Sequence, residues 1–265
     1  MVEKQDIPIP KILHYCWFGQ KKMDNIHKRC LKSWKKNLPG FKIMRWDETN
    51  IDISENPFLE SAFTLRKWAF VSDYIRLKKL YEYGGIYLDT DMLLLKPLNE
   101  ILTQKTFFGA ENSKFINAAV IGTQHKNHFI KRCLLKYDKV IVNENTNFAQ
   151  ISIPQIITSE FRSVFNYQGD FSKIVNESGI LIFPPSYFYS LPYRERHTVN
   201  KKKYVSEDSF GLHLWDESWK ELSEFSYLRK GQYLKGFKRI FKNKGSDGIF
   251  KYFKKIIGAI IKSRF

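Results

Sequence analysis

Asp89 and Asp91 stand two residues apart in the stretch GGIYLDTDMLLLKP (residues 84–97), between Leu88 and a run of methionine and leucine. Ile86–Leu88 and Met92–Leu95 read as strand, with Gly84-Gly85 as the turn before them and Pro97 as the stop. In one continuous strand, positions i and i+2 share a face, so the two carboxylates sit side by side. At about 5–6 Å and an effective dielectric near 20 they repel by about 3 kcal/mol. Water at a strand end, a basic neighbour or a divalent cation offsets that repulsion, and the cation carries the most weight. Other chemistry-bearing residues surround the pair in sequence. Asp73 and Arg76 lie i, i+3 in a helical pattern, the spacing of a salt bridge. Trp17 follows an apolar run and precedes a turn at Gly19. His14 sits in that run and reads as a buried structural imidazole, whereas His213 reads either as a core imidazole or as a metal ligand.

The elements that must position these residues follow from hydrophobic periodicity. KILHYCWFG (11–19) reads as a buried first strand. MDNIHKRCLKSWKKNLPG (23–40) reads as a helix with Ile26, Cys30, Leu31 and Trp34 on one face, and FKIMRW (41–46) as a second strand. Residues 61–83 suggest one or two helices ending at the glycine pair. The aspartate strand comes next, followed by strands at TFFGA and NAAVIGT, a helix at HFIKRCLLKY, and late strands at GILIFPPSYFY and SFGLHLW. Strands alternating with helices predict an α/β layered sheet. The organisation expected is one domain over 1–225 and a helical tail over 226–265.

Composition bounds the function classes. The chain has 265 residues, 43% hydrophobic and 16% aromatic, enough to bury a full core and contrary to disorder. Of the net charge of +17, most lies in the tail, where twelve Lys or Arg from Arg229 to Arg264 face one acid, Asp247. There Tyr233, Leu234, Phe237, Ile240 and Phe241, then Ile249, Phe250, Phe253, Ile256, Ile257, Ile260 and Ile261, recur at helical spacing with cations opposite. Two short basic amphipathic helices predict contact with an anionic membrane surface. No helix-turn-helix, zinc or RNP-type pattern supports nucleic-acid binding, so a non-enzymatic basic binding module is the rival reading. The three cysteines show no CxxC spacing, which predicts a reducing compartment without disulfides. MVEKQDIPIP has no apolar h-region, so the expectation is a cytosolic protein touching the inner face of a membrane from one side.

IPKILHYCWFG, SWKKNLPGFKIMRWDE, AFVSDYIRLKKLYEYGGIYLDTDMLLLKPL and, more weakly, GLHLWDESW together resemble the family 32 glycosyltransferases, the sugar-binding region group containing a DXD motif. That group takes in bacterial capsule and lipopolysaccharide (O-antigen) sugar transferases and fungal initiating mannosyltransferases, with clostridial toxin glucosyltransferase domains as distant relatives. The resemblance spans about residues 7–220. It implies a GT-A-type single nucleotide-binding domain with a mixed central sheet flanked by helices, and hexose transfer with retention of anomeric configuration. It implies a Mn²⁺ or Mg²⁺ ion on Asp91, with Asp89 contacting the donor or the metal through water, and His213 or Glu217 completing the site. Asp73 and Arg76, beside Ser72, would grip donor sugar hydroxyls, with Arg76 also near the diphosphate. Trp17 would stack on the base, and Ser218 and Trp219 would belong to a loop closing over the phosphates. The donor implied is a nucleotide sugar, a UDP-hexose in preference to GDP-mannose. The acceptor implied is a lipid-linked or polysaccharide glycan. No catalytic base is nominated, because in a retaining transfer the departing phosphate oxygen can take the acceptor's proton.

Overall fold

The computed structural model describes residues 8–198, 200–216, 224–229, 231–244 and 250–261. In chain order its elements are β1 (Ile12–Cys16), α1 (Asn25–Asn37), β2 (Lys42–Trp46), α2 (Pro57–Thr64), α3 (Trp68–Tyr83), β3 (Gly85–Leu88), β4 (Met92–Leu94), β5 (Thr106–Ala110), β6 (Ile116–Thr123), α4 (His128–Leu135), α5 (Ile153–Phe165), β7 (Val175–Glu177), β8 (Ile180–Phe183), α6 (Pro185–Phe188), β9 (Gly211–His213), α7 (Glu224–Arg229), α8 (Tyr233–Lys244) and α9 (Phe253–Ile261). Seven strands form one mixed sheet in the order β2-β1-β3-β6-β5-β8-β7, parallel between β1, β2 and β3 and antiparallel where β6 enters. β4 and β9 form a separate antiparallel ladder. A mixed central sheet flanked by helices is the layout expected of the GT-A type.

Strand alternation divides the core between the two faces of the sheet. Tyr87 joins one apolar cluster with Phe58, Ile75, Ile130 and Ile157, while Ile86 and Leu88 join another with Trp34, Met92 and Leu212. Each such side chain, fully buried, contributes roughly 1.5–3 kcal/mol. β1 and β3 run parallel side by side, so Trp17 and Asp89 leave the sheet at the same, carboxyl-terminal edge. In open α/β sheets that edge is where ligands bind. Between α3 and β3 the chain reverses through Gly84 and Gly85, both at positive φ, and a Cβ on Gly85 would lie 2.5 Å from the Ile12 carbonyl oxygen. Only glycine fits that close approach. His14 holds the same corner: its Nε2 lies 2.8 Å from the Gly84 carbonyl and its Nδ1 accepts from the Trp46 indole at 3.1 Å.

Three sequence expectations change. The aspartate segment is not one strand: β3 ends at Leu88, Asp89–Asp91 form a turn, and β4 pairs with β9 instead of joining the main sheet. A turn, not strand alternation, brings the two carboxylates together. Residues 153–165 form a helix that the strand-and-helix reading passed over; Ile153, Ile156, Ile157 and Phe161 are buried at helical spacing, with Pro154 tolerated in the first turn. In GILIFPPSYFY the strand stops at Phe183, because Pro184 and Pro185 end pairing and open the short helix α6. The tail helices pack on one another: Leu228, Ile240, Ile256 and Ala259 form a third apolar cluster, to which α7 (Glu224–Arg229) contributes Leu228. Ile249 lies outside the described residues.

Candidate active site

Asp24 caps α1 by accepting from the backbone N–H groups of Ile26 and His27. α1 then lies under β4, where the Trp34 indole donates to the Met92 carbonyl at 2.6 Å and the Asn37 amide to the Leu94 carbonyl at 3.2 Å. These bonds fix the strand that follows the aspartate turn. β9 fixes its other side, and the register pairs Met92 with His213. The result is a convergence at the turn: His213 Nε2 lies 3.2 Å from Asp91 Oδ1, the Asp216 backbone N–H donates to Asp91 Oδ2 at 2.6 Å, and the Leu214 N–H donates to the Asp91 carbonyl at 3.0 Å. Asp89, Asp91 and His213 each offer a ligand atom within 4.8 Å of the others.

Arg76 organises the opposite wall. Its Nη2 lies 3.1 Å from Asp73 Oδ1 and its Nη1 3.2 Å from Asp89 Oδ1, while Nη1 and Nε also donate to the carbonyls of Ala118 and Ser72 at 2.8 and 3.2 Å. The guanidinium lies over the Tyr87 ring, whose hydroxyl donates to Asp89 Oδ1 at 2.9 Å. The Asp73–Arg76 salt bridge is therefore present. Most of the Arg76 fork is committed to protein acceptors, holding Asp73 and Asp89. Burial pushes the Asp73 carboxyl up to about 7, against the pull of Arg76. Burial likewise opposes ionisation of Asp91, but His213 and the Asp216 N–H outweigh it and hold Asp91 below the usual carboxylate range. His213 is the reverse case: burial disfavours its charge, and Asp91 raises its pKa above the ordinary value.

Between these walls lies a pocket of about 380 Å³, within the size range of ligand sites. Trp17, Ser72, Asp73, Arg76, Asp89, Asp91 and His213 all line it. Trp17 is also largely buried, with its indole donating to the Lys21 carbonyl at 2.6 Å and its ring edge-on to His27, so it belongs both to the core and to the pocket wall. His14, by contrast, stays away from the cavity lining; burial lowers its pKa to about 4, which keeps it a neutral structural ring as expected. Cys16 lines the pocket, but burial holds its thiol near 12, which excludes a thiolate nucleophile at neutral pH. Glu217, Ser218 and Trp219 lie outside the described residues.

Sequence reasoning passed over several lining residues. Asn117 sits in the pocket with its amide oxygen facing the Ala119 N–H and the Tyr189 hydroxyl, and its amide nitrogen donating to Glu111 at 2.6 Å. Trp215, at positive φ, packs against His213 with the rings tilted and their centroids 4.1 Å apart. Ile153 and Pro154 enter from α5. The sequence signal for Trp215 is its place in GLHLWDESW, and for Asn117 it is a lone asparagine in an apolar strand.

The donor set suits a divalent cation. Two carboxylates are hard oxygen ligands, one imidazole adds a nitrogen, and among the described residues the buried Nδ1 of His213 has no hydrogen-bond partner. Comparison with known proteins points the same way. A family model described as "Glycosyltransferase sugar-binding region containing DXD motif" matches residues 24–108. This interval holds Ser72, Asp73, Arg76, Asp89 and Asp91 but neither Trp17 nor His213. Lactosylceramide 4-alpha-galactosyltransferase of Mus musculus is 28% identical over 158 residues, covering 56% of this chain and 41% of its own length. Alpha-1,4-N-acetylglucosaminyltransferase of Homo sapiens is 27% identical over 157 residues, covering 57% of this chain and 44% of its own. The chain thus spans about two fifths of the length of the curated relatives it matches. Among solved structures, PaToxG glycosyltransferase superposes with a TM-score of 0.48 at 18% identity, covering 60% of this chain and 70% of its own. The family model and the curated relatives support a glycosyltransferase with a sugar-binding DXD region.

Proposed function

We propose that this protein is a metal-dependent, retaining glycosyltransferase that moves a hexose from a nucleotide sugar, a UDP-hexose in preference to GDP-mannose, to a lipid-linked glycan. The observation that carries this reading is the convergence of Asp89, Asp91 and His213 in one pocket, with Arg76 bridging Asp89 to Asp73. Breaking a sugar–diphosphate bond leaves an extra negative charge on the nucleotide. Asp91, Asp89 and His213 would hold a Mn²⁺ or Mg²⁺ ion, which would supply positive charge against it. Asp73, buried and raised toward neutrality, offers hydrogen bonds to sugar hydroxyls, and Trp17 offers a ring edge and face to the base. The departing phosphate oxygen takes the acceptor's proton, so no side chain is assigned as base. Ser218 and Trp219 extend the proposal as phosphate-side groups on the strength of the GLHLWDESW resemblance alone.

A lipid-linked acceptor, of the kind used in capsule or O-antigen assembly, is supported by two features. The curated relatives include transferases named for lactosylceramide, a glycolipid. The tail also turns apolar residues outward: Leu234 and Phe241 on α8, and Phe253, Ile257 and Ile261 on α9, are exposed beside Lys235, Lys238, Lys242, Lys254 and Lys255. Each cation near an anionic leaflet contributes about 1 kcal/mol, and burial of the apolar side chains adds to it. Among the described residues no helix is long and apolar enough to cross a membrane. The proposal places the protein peripherally on the cytoplasmic face of a membrane.

A panel of nucleotide sugars with added Mn²⁺ and an EDTA control tests the activity. Turnover that the chelator abolishes is expected; turnover indifferent to EDTA overturns the metal role, and none with any donor favours a non-enzymatic binding module. For the tail, removal of residues 224–265 is expected to abolish cosedimentation with anionic vesicles while sparing hydrolysis of the donor. Equal cosedimentation of both forms overturns the docking role.

A further inference from the structure

A second aspartate–histidine cluster lies beside the first and is not explained by it. His27, 2% exposed, has Nδ1 2.7 Å from Asp24 Oδ1 and Nε2 3.2 Å from Asp216 Oδ2. Asp24 comes from the loop that starts α1, Asp216 from the segment that follows β9, and the edge of Trp17 meets the imidazole with ring centroids 4.7 Å apart. We propose that His27 is a positioning residue, an imidazolium clamped between Asp24 and Asp216 that holds residues 213–216 in place and so shapes the metal end of the proposed donor pocket; the inference rests on the glycosyltransferase reading for its consequence, though not for its chemistry.

The geometry favours a charged ring. Nδ1 lies 2.7 Å from one carboxylate and Nε2 3.2 Å from another, both within ion-pair reach. Neither contact has hydrogen-bond alignment, which leaves charge rather than direction as the attraction. Burial opposes the proton, yet the two carboxylates prevail and lift the His27 pKa to about 9. Asp24, His27 and Asp216 also lie at the spacing of a metal-holding group, so adding zinc decides between an ion and a proton here. His213 differs, with only Nε2 engaged.

The clamp reaches the pocket through Asp216. Its carboxylate is held by His27, while its backbone N–H donates to Asp91 Oδ2 at 2.6 Å. Between His213 and Asp216 the chain passes through Trp215 at φ 56°, a left-handed conformation that costs a non-glycine residue and persists only where its surroundings impose it. β-pairing to β4 fixes one end of this switchback and the His27–Asp216 pair fixes the other. Loosening the pair frees the N–H that orients Asp91, while the Trp215 indole keeps its own bond to the Leu191 carbonyl at 2.7 Å.

Two measurements on the full chain test this. In imidazole ¹⁵N NMR of the metal-free protein at pH 7.5, His27, identified by its absence in His27→Gln, is expected to show both ring nitrogens protonated. A neutral ring, or loss of a ring proton on adding zinc alone, overturns the clamp. Calorimetry with UDP in the presence of Mn²⁺ then reads the consequence. His27→Gln and Asp216→Asn should each raise Kd about tenfold, and the double variant should bind no worse than either single one. Asp24→Ser, which keeps the helix cap, should show a smaller rise. Unchanged Kd with a lowered Tm, or losses that multiply in the double variant, overturns the coupling. If the wild-type protein binds no Mn²⁺–UDP, the donor reading fails and the NMR result alone decides the clamp.

Discussion

Two buried aspartate–histidine clusters sit side by side in this molecule, built from the same residue types and opposite in design. At Asp89, Asp91 and His213 the imidazole meets one carboxylate, keeps a nitrogen unengaged by the described residues, and opens onto a pocket. At Asp24, His27 and Asp216 the imidazole meets a carboxylate on each nitrogen and is absent from the pocket lining. The first ring meets one carboxylate beside an open pocket; the second is bracketed by two carboxylates away from it. Residue identity and burial alone do not separate a metal site from a structural clamp. What differs between the two clusters is the number of ring nitrogens that face a carboxylate. His14 supplies a third state, neutral between a carbonyl and an indole.

The comparison breaks most sharply at Asp91. Asp91→Asn is isosteric and removes only charge; it is expected to lower donor turnover on the order of 10³-fold, about 4 kcal/mol of barrier, with the fold retained by circular dichroism. Near wild-type turnover would remove the distinction between the clusters.

The histidine contrast can be sharpened by pH. His14 titrates near 4 when folded and near its ordinary 6.5 when unfolded, with burial as the main cause and Lys79 also opposing its charge. Below 6.5 the unfolded chain therefore binds a proton that the folded chain refuses, so stability falls as pH drops from 6.5 toward 4. The loss from this group reaches about 3 kcal/mol. Urea melts of wild type and His14→Gln across that window should converge at low pH; parallel curves would place the acid sensitivity elsewhere.

Arg76→Lys keeps the charge but loses the planar fork that spans Asp73, Asp89 and two carbonyls. Roughly a 10–100-fold loss of kcat is expected, about 1.4–2.8 kcal/mol of barrier, and an unaltered rate would reduce Arg76 to an ordinary salt bridge. Smallest is Trp17→Ala. If the ring serves the base, donor KM should rise about tenfold with kcat nearly unchanged; because Trp17 also packs on His27, a lowered Tm without a KM change would assign it to the core alone.

Much of the first cluster was legible in the sequence, because a cation site needs oxygen ligands close together and the chain supplies them within three residues. Asp73 and Arg76 were legible for the same reason, being one helical turn apart. The second cluster was not, since Asp24 and His27 are meaningful only once Asp216 arrives from a distant loop. Helix α5 was hidden by its isoleucines, which suit strands as well as helices, and by Pro154, which reads as a breaker unless placed in a first turn. The DXD motif was found for a reason that needed amending: strand alternation predicts two side-by-side carboxylates, and the turn between β3 and β4 delivers them by another route.

The β4–β9 ladder has a consequence for the order in which the protein is made. It joins Met92 to His213, residues far apart in sequence, and closing a loop of that length costs about 4 kcal/mol of chain entropy before the contacts form. During synthesis Asp89 and Asp91 emerge well before the histidine that meets Asp91. An unfinished chain ending before Gly211 can hold β1, β2, β3, β5 and β6 and still lack His213 and Asp216. On the proposed reading, a growing chain can hold the metal and donor only after His213 has emerged and β9 has joined β4.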